Sequence, residues 1–181
     1  MNSKNLIGRK ILIVGPVKSG KTKLLSKIIK DFLKLGLKND IIILDFSPSK
    51  LPGIGGPLNQ YLHIGDINYI HPNGIKAPRL EGKDSNEVIG FAEYNYRLLD
   101  KYVDIALDSK HRIVIINDIT IYLHRGNLEK VIKLIKKSDT FVATAYYGND
   151  FDDKGSKLNK LEKMVVEKLM NIVDEVIRLG D

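Results

Sequence analysis

Ile11-Leu12-Ile13-Val14-Gly15-Pro16-Val17-Lys18-Ser19-Gly20-Lys21-Thr22 decides the architecture. Four branched apolar residues run without interruption into a turn bounded by two glycines and closed by Lys-Thr. So short an apolar run predicts a strand buried on both faces. Gly15 and Gly20 allow backbone angles that a β-carbon obstructs, so successive N–H groups of the turn converge on one point and form a concave nest for an anion. Downstream, Leu24, Leu25, Ile28, Phe32 and Leu35 recur at helical spacing, and Gly36 stands where a left-handed C-terminal cap belongs. A helix from Lys21 to Leu35 is therefore expected, and its first turn aims unpaired N–H groups and the positive end of its dipole at the same nest.

The rest of the chain repeats this alternation. Ile41 to Leu44 is a second apolar run and ends at Asp45, and Ile113 to Ile116 is a third, ending in Asn117-Asp118. Ser85 can cap a long helix to about Ser109, with Val88, Ala92, Leu99, Val103 and Ala106 on its apolar face. Its aromatics Phe91, Tyr94, Tyr96 and Tyr102 are expected to pack in the core or beneath the long loop rather than stack a ligand. A helix over 128–137, a strand over 141–146, a helix over 157–172 and a strand over 176–179 complete the pattern. The predicted class is α/β, a three-layer α/β/α sandwich around a mainly parallel five-stranded sheet. Its 181 residues suit one domain. Residues 47–83 interrupt the pattern with five of the six prolines and six glycines, and only Tyr61 to Ile70 looks strand-like. So long an irregular insertion is either a lid or binding segment, or a flexible connection.

Composition narrows the chemistry. There are no cysteines, which excludes disulfides, thiolate metal sites and cysteine nucleophiles. No apolar run approaches the roughly 18 residues of a membrane span, and the first ten residues lack a secretory apolar region, so a cytoplasmic location without membrane contact is expected. The formal charge of +7 admits a nucleic-acid partner. The lysines at 23, 27, 30 and 34 and at 130, 133, 136 and 137 nevertheless fall where solvated helix faces fall.

Residues 15–22 match G-x-x-x-x-G-K-[ST] at every specified position, directly after a strand and opening a helix. Lys21 would reach the β- and γ-phosphates of a nucleotide, and the Thr22 hydroxyl would bind its magnesium. The candidate nucleotide contacts are Gly15, Pro16, Val17, Lys18, Ser19, Gly20, Lys21, Thr22 and Lys23. Orienting the metal requires a carboxylate at a neighbouring strand end. Asp118 is the first candidate and Asp45 the second, and Asp45 also suits a general base if phosphate passes to a small acceptor. With Asp118 as the metal carboxylate, the next position, where many hydrolases hold a water-polarising Glu, is Ile119, so fast hydrolysis is not expected.

No N-K-x-D signature occurs, and the one D-x-x-G, Asp152 to Gly155, lies late in a polar stretch, so ATP is favoured over GTP. Arg79 and Arg125 are weaker candidates for stabilising a transferring phosphate, against surface roles. His63 and His71 have no third ligand at zinc spacing. Gly53-Ile54-Gly55-Gly56 reads as an anion nest or a mobile turn.

Over roughly 10–46 and 112–120 the chain resembles the P-loop NTPases, and the order of its elements resembles their RecA-like branch, in which a further strand lies between the P-loop strand and the Walker B strand. The layout of 88–147 and 174–179 is also similar to the distal half of corrinoid adenosyltransferases. Where that family has Asp-Glu after the apolar strand, this chain has Asn117-Asp118, and its phosphate turn is less glycine-rich. The resemblance implies ATP and Mg2+ as cofactors, with Lys21, Asp118 and Asp45 as candidate catalytic residues and Thr22 and Asp118 at the metal. It leaves open hydrolysis that is slow or stimulated by a partner, transfer to a small-molecule acceptor, and a nucleotide-sensing module that assembles with other subunits.

Overall fold

The computed structural model describes residues 3–49 and 55–180. Six strands, β1 (Lys10–Gly15), β2 (Ile41–Asp45), β3 (Asn68–Ile70), β4 (Ile113–Asn117), β5 (Thr140–Tyr146) and β6 (Glu175–Arg178), form one sheet in the order β3-β2-β4-β5-β1-β6. Every pairing is parallel. The four inner strands contain almost nothing but buried residues, as expected for a parallel sheet covered on both faces.

Alternation along each strand divides the core into two layers. Ile11, Ile13, Ile41, Ile43, Ile113, Ile115 and Val142 face one side and pack with Leu25, Ile28, Ile29 and Phe32 of α1 (Lys21–Lys34). Each of those four helix side chains is fully buried, which stabilises the layer by about 1.5–3 kcal/mol apiece. Leu12, Val14, Ile42, Leu44, Val114, Ile116, Phe141 and Ala143 face the other side, under α3 (Ser85–Asp108), α5 (Leu128–Lys137) and α6 (Leu158–Met170). Two short helices, α2 (Pro78–Glu81) and α4 (Ile119–Leu123), lie at the C-terminal edge.

The sheet has six strands rather than the five expected. The addition is β3, three residues paired with Ile42, Ile43 and Leu44 of β2; the preceding residues 61–67 are not strand. The long helix is capped by Asp84, not Ser85, because the Asp84 carboxylate accepts the Glu87 N–H at 2.9 Å. The aromatics of α3 serve packing: Tyr96 meets Tyr122 at 6.0 Å between ring centroids, while Tyr94 is exposed. The lysine stripe of α1 is solvated at 23, 27, 30 and 34. Lys130 instead bridges Asp100 and Asp104 of α3. Among the described residues no helix is long and apolar enough to cross a membrane.

Candidate nucleotide site

Parallel strands bring all their C-terminal ends to one edge, and the crevice outside that edge is where open α/β sheets take ligands. Gly15, Asp45, Asn117 and Tyr146, which end β1, β2, β4 and β5, therefore lie along one rim. A cavity of about 380 Å³ opens there, between residues 17–23 on one side and Pro48, Tyr61, Pro78, Ile121 and Phe151 on the other. The segment 47–83 thus supplies one wall. Of the glycine stretch 53–56, Gly53 and Ile54 lie outside the described residues, and Gly55 and Gly56 line the cavity.

Both cradle glycines have a local reason. Gly20 adopts a left-handed φ of 92°, which other residues reach only with strain. At Gly15 a β-carbon would stand 2.3 Å from the Leu179 carbonyl oxygen and 2.8 Å from Ser19 Oγ. The turn is therefore pressed directly against the chain leaving β6. The Lys21 ammonium donates to the carbonyls of Gly15 at 2.9 Å and Pro16 at 2.6 Å. Burial lowers its pKa, and the charges of Asp118 and Asp150 oppose that shift.

The strand ends distribute roles that sequence alone assigned differently. Thr22 Oγ1 donates to Asn117 Oδ1 at 3.4 Å, and Thr144 Oγ1 donates to the same oxygen at 2.9 Å. β4 ends at Asn117, which is the residue that meets the Thr22 hydroxyl, and Asp118 follows it in the chain. Asp118 is half-buried with a left-handed φ of 57°. Its N–H donates to Thr144 Oγ1 and its Oδ1 accepts from Thr120. Burial raises its pKa, while the Thr120 hydrogen bond and the Lys21 charge pull the other way.

Asp45 is fully buried, and its carboxylate does not line the cavity. Oδ1 accepts from Ser47 N, Ser47 Oγ and Asn117 Nδ2, and Oδ2 from Leu58 N and Tyr69 Oη. Five donors saturate the two oxygens, so Asp45 has no lone pair to offer a substrate proton and is not placed as a general base. It instead ties β2 to β4, to β3 and to the start of the long insertion. Burial and the neighbouring Asp45 carboxylate push the Tyr69 phenol up, which keeps it a donor in that bond.

Neither arginine stands free at the cavity. Arg79 is buried, forms a bidentate pair with Glu162 at 2.7 and 3.0 Å, donates to Asn159, and lies over the rings of Tyr146 and Phe151. His124 Nε2 meets the same Glu162 carboxylate at 2.6 Å. Burial would raise the Glu162 pKa, yet His124 and Arg79 together hold it below the usual carboxylate range. Arg125 makes a loose surface pair with Glu93 at 3.8 Å. His71 Nδ1 is bonded to the Asp45 carbonyl, His63 is exposed, and no cluster of three metal-ligating side chains of His, Cys, Asp or Glu occurs among the described residues. Sequence reasoning missed the Arg79–Glu162–His124 cluster. Glu162 lies 83 residues from Arg79, and its one sequence signal is an acidic residue on the inward face of α6.

No protein-family model matches the chain. No curated protein matches it in sequence. Among solved structures it is similar to the flagellar accessory protein FlaH from Methanocaldococcus jannaschii, with a TM-score of 0.57 and 14% identity over 95% of this chain and 71% of that one. It also aligns with the Pif1 helicase from Candida albicans at a TM-score of 0.42 and 15% identity, covering 96% of this chain but only 36% of the helicase. The cradle of residues 15–22 at the end of β1, on a six-stranded parallel sheet flanked by helices, is the P-loop NTPase fold.

Proposed function

We propose that this chain is a single P-loop domain of RecA-like type that binds ATP with magnesium and hydrolyses it slowly, or fully only when a partner completes the site. The observation that carries the reading is the assembled cradle, with Lys21 over the Gly15–Pro16 turn and Thr22 hydrogen-bonded to Asn117 at the end of β4. The position of β5 between β1 and β4 supports the RecA-like assignment.

The metal fits the donors present. The Thr22 hydroxyl, the Asn117 carboxamide oxygen and the Asp118 carboxylate are hard oxygen ligands of the kind magnesium takes alongside phosphate and water. Magnesium bound there would neutralise charge on the phosphates. Main-chain amides of the cradle and the Lys21 ammonium hold the phosphates, so catalysis is electrostatic. Asp118 lies one residue past the strand end, where its carboxylate can orient a water. Asp45, saturated by five donors, is not available for that role.

Slow turnover follows from what Arg79 is doing. Its guanidinium is committed to Glu162 and Asn159, and His124 is bonded to the same Glu162, which leaves Lys18, Lys21 and Lys23 as the remaining basic side chains lining the described cavity. A cation supplied in trans can add about 10³–10⁵ in rate. A second reading is phosphoryl transfer to a small acceptor in the part of the cavity bounded by Tyr61, Pro78, Leu80 and Ile121; an acceptor requirement for turnover would distinguish it. Calorimetric titration with ATP and GTP, with and without magnesium, on the parent and Lys21→Ala tests the main proposal. ATP should bind the parent in a magnesium-dependent way and the variant at least tenfold more weakly. Equal binding by the two would remove Lys21 from its role.

A further inference from the structure

One N–H of the turn at residues 15–22 is already bonded to an anion that belongs to the chain itself. The Asp150 carboxylate accepts the N–H of Val17, the third residue of the cradle, at 3.0 Å. Its own N–H donates to Tyr146 Oη at 2.7 Å, which anchors the acid at the end of β5. Gly148 lies close enough to the turn that a β-carbon there would stand 3.1 Å from Pro16 Cα. The Asp150 charge also reaches Lys21, where it is the second electrostatic influence after Asp118. A P-loop amide nest recognises negative oxygen whatever its source. A carboxylate bonded to one of its N–H groups is in the position of a competitor for phosphate.

We propose that Asp150 is an intramolecular latch on the cradle, released when nucleoside triphosphate binds, and that its release frees the segment from Gly148 to Ser156. This rests on the reading of residues 15–22 as a nucleotide site. The segment connects the latch to a second surface of the cavity. Phe151, next in the chain, stacks on Tyr146 at 5.0 Å and under the Arg79 guanidinium at 4.6 Å. The Phe151 carbonyl accepts from Asn159 Nδ2 at 2.7 Å, and the Lys154 ammonium bonds the Gly82 carbonyl just beyond α2. Phosphate entering beside Val17 brings like charge against Asp150, and undocking Asp150 pulls directly on Phe151. Linkage makes the coupling reciprocal: whatever holds the segment down weakens nucleotide binding, and nucleotide loosens the segment by the same factor.

Calorimetric titration of ATP and of inorganic pyrophosphate into the parent, Asp150→Asn, Asp150→Ala and Lys21→Ala tests the latch. Asp150→Asn keeps an acceptor for the Val17 N–H but removes the charge, and Asp150→Ala removes both. Each should bind about tenfold more tightly than the parent, within the 5–150-fold range common for coupled sites. Hydrogen exchange should show the amides of 148–156 less protected once the parent is saturated with ATP. Parent binding that Lys21→Ala abolishes while both Asp150 variants bind equally or more weakly would overturn the latch and leave the nucleotide site standing. ATP binding by none of the proteins would overturn both, and binding by the Asp150 variants alone would support both.

Discussion

Asn117→Asp converts the end of β4 into an Asp-Asp pair, and the contacts of Asn117 imply a severe loss of stability rather than a gain. Asn117 Nδ2 donates to Asp45 Oδ1 at 2.9 Å inside the sheet edge. Aspartate at 117 replaces that donor with a second carboxylate. Two unit charges at 2.9 Å repel by about 6 kcal/mol at an effective dielectric constant of about 20. The pair escapes by retaining one proton, which at pH 7 costs about 4 kcal/mol for a carboxyl whose ordinary pKa is about 3.9. The smaller figure sets the loss, and it is a large part of the roughly 5–15 kcal/mol that keeps a domain folded.

The sign of the pH dependence follows. A carboxyl whose folded pKa is raised destabilises fully above that raised value and not at all below its unfolded value. The deficit relative to the parent should therefore be about 4 kcal/mol at pH 7 and shrink toward zero near pH 4. Urea denaturation followed by far-ultraviolet circular dichroism at both pH values measures it, the chain having no tryptophan. Asp45→Asn added to Asn117→Asp should recover part of the loss, since an amide at 45 can again donate across the gap. A single variant as stable as its parent at pH 7, or a deficit that does not change with pH, would refute the argument.

Two further outcomes are expected. Glu162→Gln leaves the buried Arg79 charge without its partner and should cost about 3–5 kcal/mol by denaturant unfolding. Because the Glu162 pKa is held below its ordinary 4.5, the parent keeps this contribution above that value and loses it as the pH falls through the lower folded one, so the gap between the two proteins should narrow in acid. Gly15→Ala drives a β-carbon against the Leu179 carbonyl and Ser19 Oγ, and should cost about 1–3 kcal/mol in the same assay while also weakening ATP binding, since relief requires moving the cradle.

Much of the frame was legible because its signals are local. Ile11–Val14, Ile41–Leu44 and Ile113–Ile116 are continuous apolar runs, short enough and rich enough in branched residues to read as strands with both faces covered. The turn at residues 15–22 was legible because glycine at that spacing answers a need of the backbone: Gly20 takes a left-handed φ and Gly15 has no room for a β-carbon. β3 was legible only in part: Tyr61 to Ile70 reads as strand-like, but only Asn68-Tyr69-Ile70 pairs, and three residues carry no period that would set those bounds. It is a strand because β2 presents a free edge and because Tyr69 reaches Asp45 at 2.8 Å. The one-turn helix α4 was missed for the same reason: five residues give no helical period.

What the sequence by itself determined was a parallel α/β sheet with a glycine-bounded turn of P-loop spacing at residues 15–22, because hydrophobic period and glycine placement act over a few neighbouring residues. Only the tertiary structure decided which polar side chain faces which. The sequence offers Asp118 and Asp45 as the strand-end candidates, whereas β4 ends at Asn117, which meets the Thr22 hydroxyl, and the chain turns left-handed at Asp118. The saturation of Asp45, the commitment of Arg79 to Glu162 and the grip of Asp150 on Val17 span 13 to 133 residues of chain. The first two exist because packing the sheet brings distant groups into low dielectric, where a charge must find a partner or change its protonation; the Asp150 bond lies at the exposed edge, where the loop after β5 meets the turn.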